Sequence, residues 1–171
     1  EPVLADYEKR LMLEDQLLLF FTGITRHASS VLAEQKSNTD ANFDTLKEMA
    51  DSVPEFAERV MSGDFRGLGA MLHRGWMKKK SLALGVSSTV LDDLYNAGMN
   101  AGAWGGKVLG AGGGGCIMFL SPVEQKSAIR EAIRKMAEMH HLAECMEIPV
   151  KFVQCGTEVL WNGDHLHRDF A

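Results

Sequence analysis

Short apolar runs bounded by glycine or polar residues predict the strands of this protein. Residues 16–22 form a compact apolar run that Gly23 closes, which predicts a buried strand. The run Cys116–Leu120 predicts a second strand directly after a glycine-rich segment. Alternation of apolar and polar residues over 148–154 predicts a further strand, and residues 158–161 add one more short candidate.

Between these strands, apolar residues recur every three to four positions, which is typical of helices that bury one face. The periodicity predicts helices over residues 25–36, 43–62, 68–80 and 89–100. Pro54 falls inside the second of these helices and is expected to kink or break it. A last helix is predicted to start at Ser121, because Ser121, Pro122 and Glu124 have the spacing of a capping box.

The order of these elements predicts the class of fold. If residues 103–109 form the strand before the glycine-rich segment, the order is βαββαβ with extra helices in the first crossover. This order predicts an α+β, ferredoxin-like domain, in which an antiparallel sheet packs against helices on one face.

Composition and charge exclude several classes of partner. The chain has 171 residues, of which 46% are hydrophobic and 24% are charged, as in an ordinary globular domain. Its net charge of -5 gives no electrostatic attraction to nucleic acid or to an anionic membrane, and no apolar run is long enough for a membrane helix. Three cysteines, an odd number without metal-type spacing, argue against a disulfide framework, and we expect a cytoplasmic protein.

The chemistry of the chain is expected to lie in its glycine-rich segment. Eight of the 17 glycines fall between positions 102 and 115. Glycine permits positive φ and close approach of a ligand or another backbone, and consecutive amide N–H groups can form a concave anion site. Residues 110–115, called the glycine loop below, are therefore predicted to bind phosphate, with Lys107 adding a positive charge.

Two familiar phosphate-binding patterns do not fit this segment. The P-loop pattern fails because Ala101 replaces its first glycine and Val108 stands where Ser or Thr is required. The dinucleotide pattern GxGxxG matches residues 110–115, but a strand follows where that pattern needs a helix. A glycine hairpin that merely joins two strands is the structural alternative.

The stretch GAWGGKVLGAGGGGCIMFL, residues 102–120, resembles the third motif of the GHMP kinases, the family of galactokinase, homoserine kinase and mevalonate kinase. Residues 17–29 and 73–88 resemble the sugar-kinase branch that includes bacterial heptose phosphate kinases. The resemblance covers most of the chain, and the predicted order of elements agrees with the C-terminal domain of that family.

This resemblance implies one half of an enzyme that transfers the ATP γ-phosphate to a small metabolite. Residues 16–171 are then the C-terminal kinase domain, and residues 1–15 are a linker or hinge from an N-terminal domain. The family's main nucleotide loop, of the type GLGSSS, does not occur in this sequence, and the catalytic Asp and Mg²⁺ ligands of many members belong to the same half. ATP and Mg²⁺ are therefore expected as cofactors of the whole enzyme, with none bound tightly to this chain, which is expected to be inactive alone.

By the same resemblance, the loop that faces the phosphates consists of Gly110, Ala111, Gly112, Gly113, Gly114 and Gly115. Thr22, Arg26 and Lys107 are candidates for contact with the substrate, since Arg can bind phosphate through two parallel hydrogen bonds. A helix start with a solvated Arg26 is the plainer interpretation of the segment after the first strand. The expected partners are a sugar phosphate and the chain's own N-terminal kinase domain.

The expected acceptor is D-glycero-D-manno-heptose 7-phosphate, phosphorylated at O1. Two alternatives stay open: a galactokinase-like or fucokinase-like domain, and a non-catalytic ferredoxin-like module that binds a small molecule. Binding separates the kinase from the module: a kinase half is expected to bind ATP weakly or not at all, whereas a regulatory module is expected to bind its effector in full.

Two further groups of side chains have a plain structural interpretation. The three consecutive lysines Lys78, Lys79 and Lys80 could line the cleft of the site, but they are expected to form a solvated helix face. The histidines and cysteine in two short clusters lack the spacing of a zinc site and are not expected to bind a metal. These residues are His140, His141, Cys145, His165 and His167.

Overall fold

The computed structural model describes residues 6–26 and 28–153, and within these residues it contains four strands and seven α-helices. The strands are Leu17–Phe21 (β1), Gly105–Val108 (β2), Cys116–Leu120 (β3) and Met146–Glu147 (β4). The helices are Tyr7–Gln16 (α1), Ala28–Ser37 (α2), Phe43–Asp51 (α3), Val53–Ser62 (α4), Phe65–Lys80 (α5), Thr89–Asn100 (α6) and Lys126–Met139 (α7). Short 3₁₀ turns occupy Leu84–Val86 and Val123–Gln125. None of the described helices combines the length and the apolar character needed to cross a membrane.

The four strands form one antiparallel sheet in the order β2-β3-β1-β4. The central strands β1 and β3 pair along their full length, with Leu18 opposite Phe119 and Phe20 opposite Ile117. This order and these directions confirm the predicted ferredoxin-like βαββαβ plan, with α2 to α5 as the extra helices of the first crossover.

The main core lies between one face of this sheet and the pair of helices α6 and α7. Alternation along the strands places Phe20 and Phe119 on that face. The Phe119 ring lies edge to face with Phe20 and stacks on Tyr95 of α6, with ring centroids 6.3 and 5.7 Å apart. Burial of each large apolar side chain contributes about 1.5–3 kcal/mol, so this layer fixes α6 and α7 to the sheet.

A second apolar cluster covers the opposite face at one end of the sheet. Leu17 and Leu120 are paired across β1 and β3 and point away from the main core. They pack with Phe65 and Leu68 of α5 and with Leu13 of α1. Helices therefore lie on both faces of the sheet, whereas the sequence predicted them on one face only.

Local sequence signals set several helix ends. The apolar pattern over 43–62 divides at Ser52, because Pro54 is tolerated only in the first turn of a new helix. Helix α4 ends at Gly63, whose φ is 81°, and the Asp64 carboxylate then caps α5 by accepting a hydrogen bond from the Gly67 N–H at 2.9 Å.

The start of α7 differs from the prediction. Ser121 was expected to cap this helix, but the helix begins at Lys126, after a 3₁₀ turn. The Ser121 N–H donates to the Gln16 carbonyl at 2.9 Å, so the backbone of Ser121 continues the pairing of β3 with β1. Its side chain is fully buried, and its hydroxyl has no hydrogen-bond partner among the residues that the structure describes.

The last strand is also shifted from its predicted position. Pairing with β1 involves Met146 and Glu147 and is extended by the Ile148 N–H, which donates to the Leu19 carbonyl at 2.8 Å. Residues 149–153 have no regular secondary structure, so the strand predicted over 148–154 is wrong for most of its length. The predicted strand at 158–161 lies outside the described residues.

The segment before β1 contains a helix for which the apolar pattern gave no prediction. Helix α1 is capped by the Asp6 carboxylate, which accepts hydrogen bonds from the N–H groups of Glu8 and Lys9 at 2.9 and 3.2 Å. The use of residues 1–15 as a linker to another domain stays a prediction.

Helix α5 and strand β2 touch through backbone atoms, and this contact leads to a first prediction. A Cβ at Gly105 would overlap the Gly69 carbonyl oxygen. We therefore expect Gly105→Ala to destabilise the protein by about 1–3 kcal/mol, a cost typical of overpacking. Gly75 of α5 has open space around it, so Gly75→Ala is the matched control and should stabilise by about 0.5–1 kcal/mol. Urea unfolding measures the free energy of unfolding of both variants. Equal changes in the two variants would contradict a close backbone contact at Gly105.

Candidate functional site

The glycine loop connects β2 to β3 in a backbone conformation that favours glycine. Positive φ angles occur at Gly110 (67°), Gly112 (100°), Gly113 (76°) and Gly115 (82°). L-amino acids with a Cβ rarely adopt these angles, so a side chain at any of the four positions would strain the loop.

The loop also packs closely against two other backbone segments. A Cβ at Gly112 would lie 2.6 Å from the Val86 carbonyl oxygen, and one at Gly114 would lie 2.5 Å from that of Ile24. Gly112 and Gly114 are therefore required because the loop packs against the backbone of other segments. Close approach of another backbone is one of the two reasons for glycine that the sequence suggested, and close approach of a ligand is the other.

Hydrogen bonds divide the amides of the loop into two groups. The Gly113 N–H donates to Val86 O at 2.7 Å, and the Gly115 N–H donates to Ile24 O at 2.8 Å. The amides of the other four loop residues, Gly110, Ala111, Gly112 and Gly114, have no acceptor in the part of the chain that the structure describes. Only this second group has N–H donors left for a bound anion.

Thr22, predicted as a substrate contact, is fully buried beneath the loop. Its hydroxyl donates to Gly115 O at 2.8 Å and accepts from the Ile24 N–H at 3.2 Å. Its backbone N–H donates to the same Gly115 oxygen at 2.9 Å. The hydrogen bonds of Thr22 in this structure therefore join the end of β1 to the last loop residue, Gly115, and to the backbone of Ile24.

Two neighbouring residues of α2 support the loop, and sequence reasoning missed both. Gln35 donates from Nε2 to Ala111 O at 3.2 Å. The Glu34 carboxylate accepts the N–H groups of Leu84 and Gly85 at 2.9 and 3.1 Å, which orients the 3₁₀ turn whose Val86 carbonyl accepts from the loop. Nothing in the local sequence marks these residues, because their partners lie about 50 to 76 positions away.

The three lysines at the end of α5 have three different environments. Lys78 pairs with Glu48 at 2.6 Å, and Lys80 pairs with Asp92 at 2.9 Å. Lys79 instead donates from Nζ to the Gly110 carbonyl. Lys78 therefore fits the expected helix face, whereas the half-buried Lys79 fits the alternative of a lysine that lines the candidate site.

Lys79 also lies close to Lys107, the lysine predicted to add charge to the site. Burial and, to a smaller extent, the Lys107 ammonium lower the pKa of Lys79. Within the described residues, no carboxylate lies within ion-pair distance of either ammonium. The two side chains together therefore favour an anion at the Gly110 end of the loop.

Arg26 lies beside Gly113, farther along the loop. Its side chain is exposed, and its Cδ would be 3.3 Å from a Cβ built at Gly113. The fold thus brings Arg26, Lys79 and Lys107 to one short loop, although they are far apart in the chain and the net charge is -5. Contact of Arg26 and Lys107 with a substrate stays a prediction.

The described residues contain no group of three or more His, Cys, Asp and Glu side chains placed to hold a metal ion. His140 pairs through Nε2 with Asp93 at 3.0 Å, which joins α7 to α6. His165 and His167 lie outside the described residues.

The structure is a ferredoxin-like α+β domain with a glycine loop between β2 and β3 and cationic side chains beside that loop. A family model described as GHMP kinases C terminal matches residues 44–141, which is more than half of the chain. The chain therefore belongs to the GHMP kinase family, as its C-terminal domain, in agreement with the resemblance of the glycine-rich segment.

Individual relatives fall into more than one substrate class. D-glycero-alpha-D-manno-heptose 7-phosphate kinase of Campylobacter jejuni is 29% identical over 125 residues, which cover 72% of this chain and 37% of that protein. Mevalonate kinase of Thermococcus onnurineus is 51% identical over 140 residues, which cover 75% of this chain and 40% of that protein. The chain thus spans only 37% and 40% of the lengths of these two relatives.

A solved structure shows the same fold. The crystal structure of L. major mevalonate kinase in complex with R-mevalonate matches with a TM-score of 0.64 and 21% identity, over 77% of this chain and 40% of that one. At this identity the match establishes the architecture of the domain and nothing about its ligands.

The support that α2 gives to the loop leads to a second prediction. Glu34→Ala removes the acceptor for two backbone N–H groups, so the 3₁₀ turn and the Gly113 bond to Val86 should open more often. We expect hydrogen exchange at the Gly113 amide to become about tenfold faster, the effect of losing roughly one hydrogen bond. Lys36→Ala, on the same helix with an exposed side chain, is the control. Equal exchange rates in the two variants would show that Glu34 does not order the loop.

Proposed function

We propose that this chain is the C-terminal domain of an ATP-dependent kinase and that its glycine loop binds a phosphoryl group. The observation that carries this proposal is the set of amides without an acceptor at Gly110, Ala111, Gly112 and Gly114, bordered by the ammonium groups of Lys79 and Lys107. Membership of the GHMP kinase family supports the same chemistry.

The role of the loop in transfer is electrostatic. In phosphoryl transfer, negative charge shifts among the phosphoryl oxygens while attacking and leaving oxygens lie roughly in line. Amide N–H groups held in advance stabilise that charge without reorganising. The bonds from Gly113 and Gly115 to Val86 and Ile24 provide this preorganisation, because they fix the loop backbone independently of a ligand.

ATP and Mg²⁺ are proposed as cofactors of the whole enzyme. The amides without an acceptor and the ammonium groups fit phosphate. From the family resemblance we assign the metal ligands and the catalytic base to an N-terminal kinase domain, and we expect the chain alone to show no turnover and no tight ATP binding.

The proposed acceptor is D-glycero-D-manno-heptose 7-phosphate, phosphorylated at O1. The Campylobacter relative and the segments over 17–29 and 73–88 support a sugar phosphate. Mevalonate is the competing acceptor, because the Thermococcus mevalonate kinase is 51% identical over its matched region. Galactose and fucose are the uncharged alternatives.

The test is ADP formation by the protein that joins this chain to its N-terminal kinase domain. Heptose 7-phosphate, mevalonate, galactose and fucose are offered in parallel, with the isolated chain as the negative control. The proposal expects the highest kcat/KM for heptose 7-phosphate. Preference for another acceptor would overturn the substrate, and absence of transfer to all of them would contradict the assignment as a kinase of these substrates.

Lys107 provides the third prediction, measured in the same assay. Lys107→Met removes one ammonium from the loop, and loss of one such donor is expected to lower kcat/KM about 100-fold. Lys135→Met is the control, since Lys135 is an exposed α7 residue paired with Glu131 at 3.3 Å, a surface ion pair that contributes little to stability. Equal kcat/KM in both variants would remove Lys107 from the site.

A non-catalytic small-molecule module is the second candidate, and one observation favours it. A cavity of about 580 Å³ lies between α7 and β4, with Phe20, Ile133 and Leu142 among its apolar lining residues and the Arg130–Glu147 ion pair at 2.7 Å among its polar ones. This volume suits a small ligand. Tight binding of a metabolite to the isolated chain, with chemical shift changes at Ile133 rather than in the loop, would favour this function.

A further inference from the structure

Lys79 is a half-buried residue of a helix that packs directly on the sheet. Its helix α5 packs against β2 so closely that Gly69 and Gly105 meet without side chains. Lys107 extends from the same strand β2. The two ammonium groups are therefore held near each other by the backbone contact between α5 and β2.

This juxtaposition is unfavourable in the absence of a counter-charge. Two like charges destabilise each other, and partial burial of Lys79 removes part of the solvation of its ammonium. Lys78 and Lys80 each have a carboxylate partner, whereas Lys79 binds a neutral carbonyl. An ammonium has three donors, so the bond to Gly110 leaves two N–H groups of Lys79 for another acceptor.

We propose that Lys79 is a ligand-binding residue, which together with Lys107 binds a phosphate group at the Gly110 end of the loop. This inference rests on the proposed function and deepens it, because it names a residue and a position for one phosphate. The chemistry fits either a phosphate of the nucleotide or the phosphate carried by a sugar, and the two sources are separated by the probes below.

A purely structural Lys79 would behave differently from a phosphate-binding one. Removing the bond to the Gly110 carbonyl would then lower the free energy of unfolding and leave the affinity for anions unchanged. A binding role predicts a loss of affinity that exceeds any change in stability. Affinity and stability therefore have to be measured on the same variants.

The experiment is an NMR titration of the ¹⁵N-labelled chain with tripolyphosphate and, separately, with glucose 6-phosphate. We expect weak binding to the unmodified chain, with shifts at the amides of Gly110, Ala111, Gly112 and Gly114. Lys79→Met should weaken binding about tenfold, as expected for one lost charge-assisted hydrogen bond. Lys78→Met is the matched control, because Lys78 neighbours Lys79 and pairs with Glu48 instead of the loop. Its affinity should remain that of the unmodified chain.

The two probes separate the sources of the phosphate. A Lys79→Met effect on tripolyphosphate alone assigns the position to a nucleotide phosphate, and an effect on glucose 6-phosphate alone assigns it to the acceptor. Thermal unfolding of each variant controls for folding, and Lys79→Arg should retain part of the affinity. If Lys79→Met binds both probes as tightly as the unmodified chain, this inference is overturned while the proposed function stands.

A second readout needs no variant. Binding of an anion at Lys79 should raise the pKa of its ammonium toward the ordinary lysine value, measured through the ¹³C shift of Cε with and without tripolyphosphate. An unchanged pKa at saturating probe would overturn the inference. Absence of binding by the unmodified chain would overturn both this inference and the proposed role of the loop.

Discussion

Two backbone hydrogen bonds hold the glycine loop in place, and the candidate site depends on them. They run from the Gly113 and Gly115 amides to the carbonyls of Val86 and Ile24, at 2.7 and 2.8 Å. The loop can come this close to two other segments only because no Cβ stands between them. Because the amides of Gly113 and Gly115 donate to these carbonyls, only the other four amides of the loop are available to donate to a ligand.

The segments that accept these bonds are themselves fixed from elsewhere in the fold. The Glu34 carboxylate orders the turn that presents the Val86 carbonyl, and Thr22 ties the end of β1 to Gly115. The loop is thus supported from α2, from the turn after α5 and from β1. A loop supported from several elements loses little entropy on binding, which is the physical basis of a preorganised anion site.

Charge at the site arises from the arrangement of elements and not from the composition of the chain. The chain is acidic overall, yet α5 and β2 place Lys79 within electrostatic range of Lys107, and the segment after β1 places Arg26 beside Gly113 of the loop. A local concentration of positive charge in an acidic protein favours a small, highly charged anion over an extended polyanion such as nucleic acid.

Much of the fold was predictable because its signals are local. Pro54 divides α3 from α4, the apolar period places α6 at Thr89–Asn100, and the run Cys116–Leu120 forms β3. The helix start predicted at Ser121 was wrong because the decisive contact is not local. The Ser121 N–H bonds to Gln16, more than 100 positions away, so Ser121 continues strand β3 and this tertiary hydrogen bond overrides the local capping signal.

The sequence by itself determined the βαββαβ order from β1 onward, the concentration of glycine at 110–115 and, through the motif around it, the family of the domain. Only the tertiary structure decided which amides stay available, that Thr22 is buried, and that Lys79 rather than Lys78 reaches the loop. The physical reason is that periodicity and turn chemistry act over a few residues, whereas these contacts join residues 31 to 93 positions apart.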